Sequence, residues 1–186
     1  GNNSLNGGLG NDRMSGGAGN DTYVVDSTGD RVFETTTQTS GIDAGGIDTV
    51  QSFVSFGLGT STGLSFVDNL VLLGTANINA TGNQLDNLVA GNSANNQLNG
   101  LLGNDLLIGG AGNDTFVFST TLAANTDRIE DFDPIGEQIF LDDAVFVGLA
   151  TGLLAASAFA ANATGTASDS LHRIIYQTGT GFVFFD

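Results

Sequence analysis

The chain has 186 residues, enough for one or two modest domains, and carries 20 acidic against 4 basic residues, a formal charge of −16. So negative a balance repels nucleic acid and anionic lipid, which excludes both as partners. An apolar share of 40% with 13 Phe is too rich for a disordered chain, no apolar run is long enough to span a membrane, no basic-then-hydrophobic leader is visible, and Cys is absent.

The first pattern along the chain is a nonapeptide written twice without a gap, Gly7-Gly8-Leu9-Gly10-Asn11-Asp12-Arg13-Met14-Ser15 and Gly16-Gly17-Ala18-Gly19-Asn20-Asp21-Thr22-Tyr23-Val24. Gly holds the first, second and fourth places, Asp the sixth, and a large apolar residue the eighth. Gly1 to Asn6 fits places four to nine with Asn3 in the Asp place, so the natural protein is expected to continue upstream. Val25 to Phe33 loses the glycines but keeps Asp30 sixth and Val32 eighth. A period of nine with interior glycines excludes helix. The glycines suit a turn that needs positive φ and close backbone approach, and the residues around the eighth place suit a very short strand. One such unit cannot bury its apolar side chain alone, so two should make a coil and coils should stack with the eighth residues inward. On that arithmetic Asp12 faces Asp30, and Asn3 faces Asp21.

Residues 34–81 break the period. Glu34 to Gly46 reads as a polar loop. Thr49 to Leu58 and Val67 to Leu73 read as strands of longer coils that continue the roll, with Asp68, Asn69, Asn77 and Asn79 at turns. The repeat returns over residues 82–127. Gly82 to Ala90 and Gly91 to Asn99 place Asn87 and Asn96 sixth. Gly100 to Ile108 and Gly109 to Val117 restore the full pattern, with a lapse at Leu101, Asp105 and Asp114 sixth, and Leu107 and Phe116 eighth. Asp127 falls one place late. Residues 128–186 read as a β-rich capping region: strands at Gln138 to Leu141 and Ala144 to Val147, a short helix at Leu153 to Ala161, and a hairpin from His172 to Phe185. The apolar strand Phe182 to Phe185 would leave an edge that folded proteins usually cover, so a further natural C-terminus is expected.

Each turn gathers freed carbonyls and one Asp at the same height on every coil, an oxygen cage that suits Ca²⁺ better than the octahedrally demanding Mg²⁺. No soft ligand competes, since Cys is absent and His172 is the one imidazole. At these residues the chain resembles the RTX (repeats in toxin) family, whose nonapeptide is GGxGxDxUx with U large and apolar. The resemblance implies an all-β fold, a parallel β-roll, with Ca²⁺ between successive coils. It implies as ligands the carboxylates of Asp12, Asp21, Asp105 and Asp114. It also implies the carbonyls of Gly7, Gly8, Leu9 and Gly10, of Gly16, Gly17, Ala18 and Gly19, of Gly100, Leu102 and Gly103, and of Gly109, Gly110, Ala111 and Gly112. Asp30 keeps its place and can close a cage. Asn96 keeps an oxygen but no charge, for a weaker site that an added charge should tighten. Asp127 opens a segment, Asp127-Arg128-Ile129-Glu130-Asp131-Phe132, similar to the one that follows the last RTX repeats, and is read as a last ligand. Pairing repeats two apart gives about five cages.

The resemblance further implies a bacterial, extracellular protein, exported by type I secretion machinery through an uncleaved C-terminal signal. On the order of eight divalent ions would offset the formal charge, so stability is expected to track calcium. No catalytic constellation is visible: His172 lacks a nucleophile partner and reads as a polar strand residue, and the carboxylates repeat as equivalents instead of forming unequal acid/base pairs. The expected function is a secreted calcium-binding module, not an enzyme, that folds outside the cell and serves a parent protein. The alternative is a structural or adhesive surface segment stiffened by calcium, with a surface or a second copy as partner.

Overall fold

The computed structural model describes residues 1–35, 41–59, 64–120, 126–133, 135–147, 159–163, 174–177 and 182–185. The chain divides into two compact units, Gly1–Phe140 and Leu141–Asp186.

In the first unit, strands of two to four residues alternate between two faces. One face is a seven-stranded sheet of Ser4–Asn6, Thr22–Val25, Thr49–Ser52, Asn69–Leu72, Leu88–Ala90, Leu106–Ile108 and Arg128–Ile129, stacked in that order. All its pairs are parallel. Ser4 pairs with Thr22, Thr22 with Thr49, Thr49 with Asn69, Asn69 with Leu88, Leu88 with Leu106 and Leu106 with Arg128, so successive coils take 18, 27, 20, 19, 18 and 22 residues. The opposite face holds a two-stranded parallel sheet, Arg13–Ser15 with Arg31–Phe33, and a five-stranded one of Phe56–Gly57, Ala80–Thr81, Gln97–Asn99, Thr115–Phe118 and Gln138–Leu141. The architecture is the all-β parallel solenoid, a β-roll of about six coils, that the period of nine predicts.

The eighth places face inward. Leu5, Tyr23, Val50, Leu70, Val89, Leu107 and Ile129 stack in register down the first face, and Ala80, Leu98 and Phe116 down the second. From Tyr23 to Leu107 this first column is fully buried, as are Leu98 and Phe116. Each coil thus adds about one large side chain per face, worth about 1.5–3 kcal/mol when fully buried. A core that thin leaves the turns to bear much of the coil-to-coil contact.

The irregular stretch departs from expectation in two respects, one being that Asn69, expected at a turn, opens the strand Asn69–Leu72. Thr49 to Leu58 is not one strand but two on opposite faces, because the Ser52 hydroxyl donates to the Val54 carbonyl (2.7 Å) and accepts the Val54 N–H (3.2 Å), which turns the chain. Asp127 falls late in sequence and still joins the column that holds Asp105. Its coil is four residues longer than that of the preceding repeat, and Arg128 pairs with Leu106.

The second unit, described by itself, is β-rich: Phe159–Asn162 runs parallel to Ile174–Gln177, which pairs antiparallel with Phe182–Phe185 in the expected hairpin. Ala144 to Val147 is a turn instead of a strand, since Asp142 uses its carboxylate to accept the Ala144 N–H (2.9 Å) and its carbonyl to accept those of Val145 and Phe146 (3.0 and 2.8 Å). Within the helix expected at Leu153 to Ala161, Phe159 begins a strand, while residues 151–158 lie outside the described ones, as do His172 and residues 178–181 of the hairpin turn.

Candidate functional site

Every strand of the seven-stranded sheet is preceded by an acid or its amide: Asn3, Asp21, Asp48, Asp68, Asn87, Asp105 and Asp127. These form one column. The Asn3 N–H donates to Asp21 Oδ1 (2.6 Å), that of Asp21 to Asp48 Oδ1 (2.7 Å), that of Asp48 to Asp68 Oδ2 (2.7 Å), that of Asn87 to Asp105 Oδ1 (2.7 Å) and that of Asp105 to Asp127 Oδ1 (3.0 Å). The other face carries a second column. There the Asp12 N–H donates to Asp30 Oδ1 (2.9 Å), and the Asn96 N–H to Asp114 Oδ1 (2.7 Å). Asp12 thus meets Asp30, and Asn3 meets Asp21, as the two-repeat coil requires.

One oxygen of Asp21, Asp48, Asp105 and Asp114 thus ties two coils. Oδ2 of these four, and of Asp12, is buried without a hydrogen-bond partner. In Asp12, Asp21, Asp105 and Asp114 it lies over the first-place glycine of its own turn. A Cβ on Gly7 would come within 2.6 Å of Asp12 Oδ2, and one on Gly109 within 2.7 Å of Asp114 Oδ2 and 2.8 Å of Glu137 Oε1; Gly16 and Gly100 stand closer still to Asp21 and Asp105. The first place is Gly for want of room. The second and fourth are Gly for conformation, with φ of 76° at Gly17 and 113° at Gly19. The third-place side chains of Leu9, Ala18, Leu102 and Ala111 are exposed, so these positions can offer a ligand only through the backbone.

Burial without a counter-charge disfavours ionised carboxylates. It pushes Asp105 up to about 7, helped by Asp127 and Asp86 and opposed by the Asn87 N–H. Asp48 rises to about 6, again chiefly by burial, against the Asp21 N–H. Asp68, Asp114, Asp127 and Glu137 are raised for the same first reason. Among the described residues the one salt bridge, Arg128 with Glu130, touches none of these groups. Buried oxygens of one chemical kind, unpaired and repeated coil after coil, fit a hard cation with oxygen ligands.

Three predicted positions differ in how their side chains are used. Asp30 spends both oxygens on N–H groups, Oδ1 on Asp12 and Oδ2 on Asp26 and Ser27 (3.1 and 3.2 Å). Asn87 and Asn96 act as clamps. The Asn96 carbonyl accepts the Asn92 N–H (2.8 Å), and its NH₂ donates to the Ile78 carbonyl one coil away (2.6 Å). Asn87 likewise accepts from Asn83 (2.8 Å) and donates to the Asp68 carbonyl (3.0 Å).

Sequence reasoning passed over Asp48, Asp68 as a member of this column, and Glu137, which is one coil beyond Asp114: the Gln138 N–H donates to the Asp114 carbonyl (2.8 Å). The signal was an acid immediately before a short apolar strand. It also gave no role to the fifth-place Asn, whose side chain accepts the turn N–H of a neighbouring coil, as Asn2 does from Asn20 (3.0 Å) and Asn95 from Asn113 (2.9 Å).

Residues 1–30 and 81–116 match the family model of the RTX calcium-binding nonapeptide repeat, in four copies. The chain carries RTX repeats. The matched segments are those in which Asp12, Asp21, Asp105 and Asp114 hold the sixth place, and repeats of this family bind Ca²⁺. The roll is a β-solenoid whose matched turns carry this calcium-binding repeat. Comparisons with curated proteins and with solved structures return no match.

Proposed function

We propose that this chain is a secreted folding module whose roll closes when Ca²⁺ fills the turns, and that the sixth-place carboxylates of the RTX repeats are the charged ligands. The observation that carries this reading is the row of buried, unpartnered Oδ2 atoms on Asp12, Asp21, Asp105 and Asp114, each over its first-place glycine. Carbonyls of Gly7 to Gly10, Gly16 to Gly19, Gly100 to Gly103 and Gly109 to Gly112 complete the cages. Asp127 and Glu137 serve the last cage of each column.

A site that the unfolded chain lacks returns its binding free energy as stability, about 4 kcal/mol per site at a thousandfold excess over the dissociation constant. Several sites offset the mutual repulsion of a chain of charge −16. Calcium-poor cytoplasm then keeps the chain loose enough for export by a type I system, and calcium outside the cell folds it. The role is structural, in the service of a parent protein, and not catalytic.

The test is a calcium titration followed by far-ultraviolet circular dichroism, with a matched chelator control, on wild type and Asp114→Ala. A cooperative gain of β signal is expected in wild type, displaced to higher calcium in the variant. A protein fully folded in chelator, with a melting temperature that calcium leaves unmoved, would sink the proposal.

A further inference from the structure

One acid inside the first unit belongs to no repeat position that should carry one. Glu34 follows Phe33, which pairs with Ser15, so it stands one coil beyond Gly16, in the first place, where the full repeats have glycine. It is fully buried, as is Asp48, and Asp21 is 1% exposed. Asp21, Glu34 and Asp48 each bring a carboxylate oxygen within 4.8 Å of the others.

Each of the three also keeps one oxygen without a hydrogen-bond partner: Asp21 Oδ2, Glu34 Oε2 and Asp48 Oδ2. Their other oxygens are engaged. Asp21 Oδ1 accepts the Asn3 N–H (2.6 Å), and Asp48 Oδ1 accepts the Asp21 N–H (2.7 Å). Glu34 Oε1 accepts the Tyr23 hydroxyl, which itself accepts the Gly16 N–H (2.7 Å). Gly16 leaves the space open, since a Cβ there would run into Asp21 Oδ2 and the Tyr23 hydroxyl. No salt bridge among the described residues reaches any of the three acids.

We propose that Asp21, Glu34 and Asp48 form a three-carboxylate cation site inside the roll, built on the Asp21 turn, distinguished from the two-carboxylate cages of the other repeats by its third charge, and filled before them. The proposal rests on the calcium reading only in that Asp21 also stands in a repeat turn. Oxygens around one Ca²⁺ at about 2.3–2.6 Å lie no more than roughly 5 Å apart, which the cluster satisfies without movement. Three charges in a dry site attract a hard cation more strongly than two do, and affinity in such sites follows ligand charge count. Tyr23 holds the Glu34 carboxylate in place from the core side.

The same tyrosine supplies the test. Tb³⁺ substitutes for a hard oxygen-bound cation and emits when a nearby tyrosine is excited, and the chain has two Tyr and no Trp. Decalcified protein is titrated with Tb³⁺ under tyrosine excitation. Sensitised emission is expected to saturate at one equivalent, before the circular dichroism change is complete, and to be reversed by excess Ca²⁺. Glu34→Gln should weaken the Tb³⁺ that gives this emission at least tenfold. Tyr23→Phe should abolish the emission while calorimetry still detects the tight ion, and Tyr176→Phe should retain it.

Emission that is absent, or equal in wild type and Glu34→Gln, overturns the proposal even if calcium still folds the chain. Should calcium leave the circular dichroism unchanged while one sensitised Tb³⁺ still binds, the three-carboxylate site stands and the calcium-coupled folding of the repeats falls. If Glu34→Gln does not fold, Glu34→Asp, which keeps the charge on a shorter arm, must bind Tb³⁺ more weakly than wild type; equal binding overturns the proposal.

Discussion

At the second place of the repeat, backbone conformation and side-chain space can be separated. Gly17 has φ of 76° with nothing near its Cβ position, Gly110 has φ of 87° with the Asn92 carbonyl oxygen 2.5 Å from it, and Leu101 holds φ of 72° as the one described non-glycine residue with positive φ. A left-handed conformation costs an L-residue about 1–2 kcal/mol, and a glycine's extra freedom in the unfolded chain returns about 0.5–1 kcal/mol of that advantage. Leu101→Gly is therefore expected to be neutral or to stabilise by up to about 1 kcal/mol. Gly17→Ala should cost about 1 kcal/mol, and Gly110→Ala clearly more, since it adds a clash to the strain. Urea denaturation in saturating calcium checks the order; Gly110→Ala as mild as Gly17→Ala would mean that the coil spacing can relax at that turn.

At the scale of one coil on the next, the roll uses two fasteners. Where a full repeat has Asp in the sixth place, a spare buried oxygen faces the turn; where it is Asn, as at Asn87 and Asn96, the amide donates to the carbonyls of Asp68 and Ile78 and closes the gap with no charge at all. Asn96→Asp exchanges a donor for an acceptor opposite the Ile78 carbonyl. In chelator it should destabilise by about 1–3 kcal/mol, the cost of a buried unsatisfied group, and calcium should recover most of the loss by turning a clamp into a cage. Thermal melts with and without calcium check this; a loss that calcium does not repair would leave the site closed to metal.

The same two fasteners mark how far the sequence could be read. Solenoid, coil length and inward column follow from strict spacing, since a fixed nine brings Leu5, Tyr23, Met14 and Val32 to the same height of the coil without further information. Between residues 34 and 81 coils of 27, 20 and 19 residues erase the period. Asp48, inside that stretch, and Glu137, beyond the last full repeat, are visible only through pairing. The amide clamps stayed hidden for another reason: Asn offers both an oxygen and an NH₂, and which one faces the neighbouring coil is fixed by the Asn83 and Asn92 N–H groups that occupy the oxygen.

Over the whole molecule, protons and calcium compete to neutralise the same buried acids. Burial pushes Glu34 up to about 8, with Asp48, Asp21 and Asp43 facing it besides Tyr23, while Asp105, facing Asp127 and Asp86, rises to about 7 and Asp48 to about 6. In the metal-free protein these folded-state values lie above those of the unfolded chain, near 4.5 for Glu and 3.8 for Asp. The folded state then binds more protons than the unfolded one across this window, so stability falls as pH rises. The contribution is fully present near pH 4, is eroded from there upward, and is gone above about pH 8. Easing of the −16 formal charge on acidification acts in the same direction. Calcium reverses the slope, because an ion on the deprotonated carboxylates lowers their folded-state values, and protons now compete with it. Decalcified protein should therefore gain β signal and urea resistance from pH 8 to pH 5, acid standing in for metal, whereas calcium-saturated protein should lose urea resistance over the same range. Two denaturation series, one on resin-decalcified protein and one at millimolar calcium, decide the matter. Parallel slopes would mean that Glu34, Asp48 and Asp105 titrate without reference to the metal, and the calcium-coupled roll would have to be abandoned.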